Sequence, residues 1–501
     1  MSTDGLSLLD YLVVAADLVA VIVLGYIASK KQKTTSDYFL AGRNMHWLPV
    51  AISIFATLFS AMSFIGAPAE AYKHDMQMGL SCFAMIFVAP LIVTLFVRFY
   101  HRLGVFTAYE YLEKRFHLSI RLLSSLLFML LRLGWISAVL YTTAIVLETA
   151  TNLSMDWAII IAGIVATAYV TMGGIRAVIW TDVMHFLIFW TGVLLMVGIV
   201  LYRVGGWNVF WETALEHNKL TLFDFSFDPT KRLTFWGLAF GFFFLKLGGS
   251  GVDQVVIQRY LTTASVRQAA KSIYFFAFIV SPAMLVFYFL GVLLFVFYQA
   301  HPEWAAGMDS TDHVVPFFIM TQLPTGFRGL LIAAIFAAAI SSVDSGLNSV
   351  ATAATSDFYK RVFFPNHTDQ QCFRFARLVT IFFGVLVTAG GMLISRLQIG
   401  TIAELFFKLS QPFVGILLGI FLLGMLTRRG NTTGALLGAA AGTSIFAAIR
   451  FVPGNPWGDI SFMWNAPICF LASFVPGYLL SFVSARPSAA QLEGLTVFTI
   501  E

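Results

Sequence analysis

One apolar segment of the chain carries a row of polar side chains: Ala337-Ala338-Ala339-Ile340-Ser341-Ser342-Val343-Asp344-Ser345-Gly346-Leu347-Asn348-Ser349. On an α-helix, Ser341, Asp344, Ser345 and Asn348 lie along one face. That face offers hydroxyl, carboxylate and amide oxygens, which hard cations prefer as ligands. The alternative is a packing seam of small residues whose serines bond back to their own helix. Because such a seam gains nothing from a carboxylate, Asp344 favours a cation site.

The rest of the chain is also strongly apolar. Of its 501 residues, 58% are hydrophobic and only 11% are charged, whereas soluble domains carry about 25% charged residues. The mean hydropathy is +0.82. A single soluble core cannot bury that many apolar side chains, so we expect lipid to cover them. The composition therefore predicts an all-α polytopic membrane protein.

Membrane-spanning segments are predicted from runs of about 20 mainly apolar residues, of which there are roughly thirteen. They begin near Leu8, Trp47, Gly79, Arg121, Trp157, Thr181, Leu233, Ala270, Gly326, Phe373, Ile402, Thr432 and Phe462. Pro90 and Pro412 interrupt two of them, which is tolerated where neighbouring helices satisfy the freed backbone groups.

The basic residues lie in short connections between apolar runs, not on one exposed face, and this pattern argues against nucleic-acid binding. Alternate connections are rich in Lys and Arg, although the formal net charge is only +5. The positive-inside rule then places the N-terminus outside and the C-terminus in the cytoplasm. We expect a multi-pass protein of the plasma membrane, or of the inner membrane in a bacterium, that works as a monomer.

Motifs for catalysis are absent from the sequence. There is no Walker A motif and no GxSxG, HExxH or Cys/His constellation. Cys82, Cys372 and Cys469 fall in or near apolar runs without a CxxC pair, as is typical of reduced, buried cysteines. We therefore expect no enzyme activity and no cofactor, and a driving force that comes from an ion gradient or from the solute itself.

Two segments carry Gly or Ser where a spanning helix would be regular. They are Ala56-Thr57-Leu58-Phe59-Ser60-Ala61-Met62-Ser63 and, five spans later, Lys246-Leu247-Gly248-Gly249-Ser250-Gly251. Interrupted helices in corresponding positions are typical of transporters with inverted repeats. Close helix packing is the alternative explanation for small residues.

Basic side chains at membrane depth must face a cavity or a partner. Lys246 can hold a solute carboxylate or pair with Asp344. Arg132, which precedes Trp135 by one turn, can likewise contact the solute or pair with a carboxylate of the protein.

Three further places carry ionisable groups. Asp182 is predicted at the start of a helix, where it either joins a cation site or caps free backbone N–H groups. Glu404 and Lys408 have the spacing of a pair on one helix. His185 is a candidate proton carrier, although such a histidine more often bonds locally.

Five short motifs, in order, resemble the sodium:solute symporter family over nearly the whole chain. They are Asp37-Tyr38-Phe39-Leu40-Ala41-Gly42-Arg43; Thr107-Ala108-Tyr109-Glu110-Tyr111-Leu112-Glu113-Lys114-Arg115-Phe116; Met172-Gly173-Gly174 with Trp180-Thr181-Asp182; Gln258-Arg259-Tyr260-Leu261; and Ala338 to Asn348 with Ser356-Asp357-Phe358-Tyr359. The resemblance implies a leucine-transporter-like core of two inverted five-helix repeats. The expected division is an extra span and cytoplasmic loop at 1–46, the first repeat at 47–203, an extracellular connection at 204–232, the second repeat at 233–428, and two final spans with a tail at 429–501.

The resemblance also implies sodium as the coupling ion. The site shared by the family would use the carbonyls of Ala56, Phe59 and Ala338 and the hydroxyls of Ser341 and Ser342. A second sodium, found in some members, would use Asp182 and Ser345, with Asp344 standing where relatives often have a hydroxyl residue.

Within the family the chain resembles the bacterial sialic acid symporters, but the solute pocket differs. The implied pocket residues are Ser60, Ser63, Cys82, Trp135 and Lys246, with Arg132 and Phe243 as further candidates for solute contact or pairing. Trp135 stands in place of an arginine that grips the substrate carboxylate, and Lys246 in place of an asparagine. Sialic acid is therefore not supported; Lys246 favours a carboxylate-bearing solute, and a neutral sugar stays open.

The resulting expectation is sodium-coupled import of a small organic solute by alternating access. A proton-coupled carrier using Asp344, Asp182 or His185 is the alternative. A membrane sensor or a channel fits less well, because the chain has no segment typical of a signalling domain.

Overall fold

A computed structural model describes residues 5–29, 39–151, 153–173, 175–305, 308, 310–397, 401–452, 454–455 and 457–499 of the protein. Within these ranges the regular structure is helical, without a β-strand, and a single isolated bridge joins Met45 to Thr263. The predicted all-α class is confirmed. Asp37, Tyr38 and Gly174, which belong to the motifs above, lie outside the described residues.

The helices that build the fold are, in chain order, α1 Leu8–Ser29, α2 Trp47–Leu58, α3 Ala61–Lys73, α4 Gln77–Leu103, α5 Ala108–Arg115, α6 Leu118–Thr151, α7 Met155–Gly173, α8 Ile175–Val204, α9 Trp207–Glu216, α10 Phe235–Gly251, α11 Gln254–Tyr260, α12 Val266–Ala300, α13 Val314–Gln322, α14 Phe327–Phe363, α15 Asp369–Ser395, α16 Ile402–Leu426, α17 Thr432–Phe451 and α18 Phe462–Leu480. Several of the spans are longer than the roughly 20 residues that a bilayer requires.

The described residues contain 9 helices that are long and apolar enough to cross a membrane, or up to 11 if each of two bent pairs is one span. Helices α1 and α7 also lie where spans were predicted, but they are not among those eleven. The count of thirteen therefore stays a prediction.

Helix α14, which carries the polar face described above, is the most enclosed span. In its apolar window 89% is buried within the protein, against 28% for α15 and α17. It packs against α1, α6 and α8 and also contacts the bent pair α2–α3. Its polar side chains therefore face other helices and not lipid.

Two spans are broken where a capping residue starts a new helix. Helices α2 and α3 meet at 56° across Phe59 and Ser60, and α10 and α11 meet at 55° across Val252 and Asp253. The Ser60 hydroxyl accepts a hydrogen bond from the Met62 N–H (3.2 Å), and the Asp253 carboxylate accepts one from the Val255 N–H (2.9 Å). Ser and Asp are favoured at this position because their side chains satisfy N–H groups that a helix start leaves free.

The first break lies where the sequence predicts it, but the second does not. Helix α10 continues through the whole glycine run and ends at Gly251. Two of the three glycines are needed for close packing: a Cβ at Gly251 would lie 2.6 Å from the Phe96 ring, and one at Gly248 would collide with Val414. The alternative explanation, close helix packing, thus accounts for Gly248 and Gly251.

The two longest outer connections of the predicted topology contain short helices, α9 and α13. The first connection is tied to the end of α3 by Lys219, whose ammonium donates to the carbonyls of Tyr72 (2.7 Å) and His74 (2.8 Å). Burial lowers the pKa of Lys219. This contact fixes the connection over the end of the broken span.

Candidate functional site

The break between α2 and α3 frees backbone carbonyls in the middle of the protein. Phe59 leaves the helical conformation (φ −99°, ψ 82°), and its N–H still bonds to the Phe55 carbonyl at 2.8 Å. Among the described residues, the N–H groups of Ser60 and Ala61 make no bond to the carbonyls of Ala56 and Thr57. The segment therefore offers carbonyl oxygens that can bind another group.

The hydroxyls of α14 face this freed segment. Ser342 donates to the Thr57 carbonyl at 2.9 Å, and Ser341 donates to the Asp182 carboxylate. Both serines are almost fully buried. Carbonyl and hydroxyl oxygens thus meet between α2 and α14, away from lipid, which is the arrangement that a dehydrated sodium ion requires.

Asp182 is buried in the protein and is not a helix cap. Helix α8 begins at Ile175, so Asp182 lies well inside it, and the predicted capping role is wrong. Its carboxylate accepts hydrogen bonds from Ser53 and Ser341 and forms an ion pair with Arg259 (3.4 Å). The carboxylate joins α2, α8, α11 and α14 because each partner comes from a different helix.

Arg259 is the residue of this region to which the sequence analysis gave no role. Its guanidinium is fully buried and also donates to Ser53 (2.9 Å) and to Ser345. A cation of the protein itself therefore lies between Asp182 and Ser345, the residues expected to hold a second sodium. The sequence signal was available: an arginine inside an apolar segment requires a carboxylate partner.

The other polar side chains of the α14 face have different surroundings. Asp344 is 2% exposed, without a hydrogen bond to any described residue, and lies within electrostatic range of Asp182 and Arg259. Asn348 accepts a hydrogen bond from Gln258 at 3.1 Å, which turns it away from the freed carbonyls. His185 is buried, and in the described part of the chain neither ring nitrogen has a partner.

A cavity of about 130 Å³ adjoins the same break on its other side. Phe59, Ser60 and Ser63 form one wall and α10 forms another; the remaining lining is rich in aromatic rings, namely Trp135, Phe242, Tyr288, Phe406 and Phe407. The volume is close to that of an engineered cavity of about 150 Å³ that binds benzene, so it suits a molecule of that size. One broken segment therefore contacts both the cavity and the hydroxyls of α14.

Lys246 is the unpaired cation of the cavity. Its side chain is half-buried in the lining, and no described residue forms a hydrogen bond or ion pair with its ammonium. The expected pairing with Asp344 does not occur. A lysine at this depth without a carboxylate is a candidate binding group for an anionic solute.

Arg132 is paired within the lining of the same cavity. It forms a buried ion pair with Asp253, and its guanidinium lies 5.1 Å from the centre of the Trp135 ring. The Trp135 Nε1 is buried without a hydrogen-bond partner in the described structure. Asp253 escaped the sequence analysis, although an Asp directly before a short helix is a recognisable cap.

Two of the pocket candidates do not line the cavity. Cys82 is buried beside it, and the neighbouring Ser81 lines the wall instead. Phe243 packs edge-to-face on Phe244, and Phe242 lines the wall in its place. Phe242, Leu245, Lys246 and Gly249 form the cavity face of α10, and Phe243 lies off that face. Contact of Cys82 and Phe243 with the solute stays a prediction.

Two charge clusters lie outside the cavity, one toward each predicted side of the membrane. In the outer charge cluster, Arg232 bonds to Glu70 (2.5 Å) and Glu404 (2.8 Å), and Lys408 joins Glu404 at 3.3 Å as its spacing predicts. Burial would lower the pKa of Arg232, but the two carboxylates outweigh burial and raise it. The cluster ties α3 to α16 over the predicted outer end.

In the inner charge cluster, Arg121 bonds to Asp357 (2.6 Å) and Glu113 (2.8 Å), and Arg361 bonds to Glu113 at 2.5 Å. Burial would raise the pKa of Glu113, but hydrogen bonds from Arg361 and Arg121 lower it. The cluster ties α5 and α6 to α14 at the predicted inner end.

The chain is similar to known sodium-coupled transporters. A sodium/sialic acid symporter of Aliivibrio fischeri is 31% identical over 96% of this chain and 94% of its own length. A sodium-coupled monocarboxylate transporter 2 of Mus musculus is 30% identical over 87% of this chain and 71% of its own.

A solved structure shows the same fold. It is a Na⁺-coupled sialic acid symporter in a substrate-bound, outward-open state, with a TM-score of 0.88 and 30% identity over 96% of this chain and 99% of its own. The leucine-transporter-like fold is thereby confirmed. The sodium:solute symporter family matches residues 38–442, which is most of the chain. The chain therefore belongs to the sodium:solute symporter family.

Proposed function

We propose that this protein is a sodium symporter that imports a small carboxylate with an apolar or aromatic body. The observation that carries the proposal is Lys246, an ammonium without a hydrogen bond or ion pair to any described residue, in a cavity walled by aromatic rings. An unpaired cation at membrane depth is stabilised by an anion, and the rings favour a flat or apolar body. The relatives described above are named for sialic acid and for monocarboxylates.

Sodium binds, in this proposal, between the freed segment of α2 and the hydroxyls of α14. The ligands are the carbonyls of Ala56, Phe59 and Ala338 and the hydroxyls of Ser341 and Ser342. The observed bond from Ser342 to the Thr57 carbonyl supports this assignment, because it places the hydroxyl beside the freed carbonyls. A second sodium at Asp182, Asp344 and Ser345 would have to displace the guanidinium of Arg259.

Coupling follows from the shared segment. Phe59 and Ser60 line the solute cavity, whereas Thr57, one turn earlier, meets Ser342. Sodium that fixes the carbonyls also fixes the cavity wall, so each ligand favours the same conformation and raises the affinity for the other.

Alternating access in this proposal opens one charge cluster at a time. The outer charge cluster separates when the solute enters, and the inner charge cluster separates when it leaves. The repeats extend over 47–203 and 233–428, with 1–46, 204–232 and 429–501 outside them. The N-terminus lies outside and the C-terminus inside the plasma membrane, the inner membrane in a bacterium, and the monomer is the working unit.

A thermal-shift screen of the purified protein tests the solute class. Matched pairs of acid and amide, such as benzoate with benzamide and lactate with lactamide, are compared with glucose and sialic acid, in sodium and in potassium. We expect stabilisation by an acid, in sodium only, and none by its amide. Stabilisation by glucose alone, or equal shifts by acid and amide, would contradict the carboxylate assignment.

The variant Lys246→Met tests whether Lys246 binds the solute carboxylate, and Lys408→Met is the matched control. Losing a charge-assisted hydrogen bond costs about 1.5–3 kcal/mol, so the affinity for the acid should fall about tenfold to a hundredfold. Lys408 is half-exposed and already paired with Glu404, so its variant should bind as the wild type does. Equal losses in both variants would remove Lys246 from the site.

A further inference from the structure

A second cavity, of about 180 Å³, lies between α1, α6, α7 and α14. It shares no lining residue with the solute cavity. Its walls are almost entirely aliphatic, with Leu140, Ile161 and Ile332 among them. Neither the sodium site nor the solute site uses it.

One carboxylate, that of Asp17, faces this cavity. Asp17 is 9% exposed, and in the described part of the chain its Oδ1 is buried with no hydrogen-bond partner. The two threonines of the lining are not available to it, because Thr143 and Thr151 donate to the carbonyls of Val139 (2.7 Å) and Leu147 (2.6 Å) on their own helix.

Asp10, on the same helix, is a carboxylate whose hydrogen-bonding capacity is satisfied within the protein. It accepts hydrogen bonds from the Ser7 hydroxyl (2.7 Å) and from the N–H groups of Gly326 (2.7 Å) and Gly329 (2.9 Å). Asp10 thereby joins α1 to the start of α14. Asp17 has no such structural role, although an unpaired carboxylate at membrane depth is costly and marks a functional group.

The position of Asp17 limits what can reach it. Helix α1 has 22 residues, which is about 33 Å at about 1.5 Å per residue, and Asp17 lies near its middle. Tyr11, Ile161 and Val165, which are 49%, 40% and 41% exposed, form the rim of the cavity on a surface that we expect lipid to cover. A hydrated ion cannot approach by this route, whereas a molecule dissolved in the bilayer can.

We propose that this cavity binds a membrane-dissolved amphiphilic amine, with its ammonium on Asp17 and its hydrocarbon chain among the aliphatic walls. The charge of the carboxylate selects the amine, and the dry walls select the chain. The volume exceeds that of an engineered cavity of about 150 Å³ that binds benzene, so several methylene groups fit.

Occupancy of this cavity affects transport from outside the solute site. Ala339, Ile340 and Val343 of α14 form part of its wall and stand next to Ser341 and Ser342. An occupant would hold α14 against α1 and slow any step in which α14 moves. Inhibition by the amine should therefore lower the maximal rate of uptake and leave the solute affinity unchanged.

Thermal unfolding in nanodiscs of uncharged phosphatidylcholine tests the site without a known solute. The probes are octylamine and 1-octanol, which share a chain and differ in charge. We expect octylamine to raise the unfolding temperature along a saturable curve and octanol to leave it unchanged. Equal shifts by the two probes, or no saturable shift, would overturn the proposal.

Asp17→Asn ties the effect to the carboxylate, and Asp156→Asn, at the exposed start of α7, is the control. Asp17→Asn removes an unpaired buried charge and leaves the fold intact. The octylamine concentration for half-maximal shift should rise at least tenfold in Asp17→Asn and stay unchanged in Asp156→Asn. An unchanged response in Asp17→Asn would also overturn the proposal, whether or not the protein transports a carboxylate.

Discussion

The sodium region and the solute cavity touch the same broken segment, yet their side chains are satisfied in opposite ways. Around α14, Ser341, Ser342 and Asp182 all hydrogen-bond across helices. In the cavity, the ammonium of Lys246 and the Nε1 of Trp135 have no partner among the described residues. The first region is hydrogen-bonded within the protein except at Asp344, which makes no hydrogen bond to a described residue. The second contains two polar groups without a described partner, which a ligand can bind.

This difference indicates that sodium coupling and solute selectivity depend on different residues. A network that is already satisfied holds its geometry and can bind one small cation in a fixed place. Unsatisfied groups in an apolar cavity instead favour whichever molecule completes them, since leaving them unpaired is costly. A change of solute can therefore occur at positions such as Lys246 and Trp135 without disturbing Ser341 and Ser342.

The largest effect is expected at the paired charges of the cavity. Asp253→Asn leaves the Arg132 guanidinium buried without its carboxylate, which costs about 3–5 kcal/mol in other proteins. We expect a strong loss of stability on thermal unfolding in detergent, and recovery in Arg132→Met/Asp253→Asn, which removes both charges. If Asp253→Asn is as stable as the wild type, the ion pair between Arg132 and Asp253 does not contribute to stability as expected.

The next effect concerns the sodium region. Ser342→Ala removes a hydroxyl ligand, worth about 1.5–3 kcal/mol when the partner is charged, so the sodium concentration for half-maximal stabilisation should rise about tenfold or more. Ser272→Ala is the control, because its buried hydroxyl bonds only to the Ala269 carbonyl of its own helix (2.7 Å). The sodium-site assignment fails if the two variants respond to sodium alike.

A smaller effect is expected at Trp135. Trp135→Phe keeps an aromatic ring against Phe406, 4.5 Å away between ring centres, but removes the N–H. A neutral hydrogen bond contributes about 0.5–1.5 kcal/mol, so solute affinity should fall about threefold to tenfold with sodium affinity unchanged. Calorimetry with the solute found in the screen measures both. A loss of sodium affinity in Trp135→Phe would show that the solute cavity and the sodium region are not independent.

The smallest effect is expected outside both regions, in the inner charge cluster. Arg361 is largely exposed, and its pair with Glu113 is of the kind that contributes about 0–1 kcal/mol. Arg361→Met should therefore leave sodium and solute affinity unchanged in the same binding assays. A large change in either affinity would mean that the cluster controls the binding conformation in the absence of ligand.

The α14 serines that we propose as sodium ligands can be placed together from the sequence because their arrangement depends on local pattern. Helical spacing places Ser341 and Asp344 on one face, and Ser60 is a residue type typical of a helix start. The shared face and the helix start therefore follow from residues close in the chain. The partners of Asp182 do not: Ser53 and Arg259 arrive from α2 and α11, and only tertiary packing brings them together. For the same reason the sequence leaves a break and close packing open at the glycine run, since the packing partner Phe96 is distant in sequence.

The central claim is that sodium, bound between the freed carbonyls of α2 and the hydroxyls of α14, drives solute entry. Uptake of the identified carboxylate into proteoliposomes tests it most directly, with an inward sodium gradient at constant pH compared with an inward proton gradient without sodium. We expect concentrative uptake under the sodium gradient only, and its loss at low sodium in Ser342→Ala. Full-rate uptake under the proton gradient alone would contradict it and would favour a proton carrier using Asp344, Asp182 or His185.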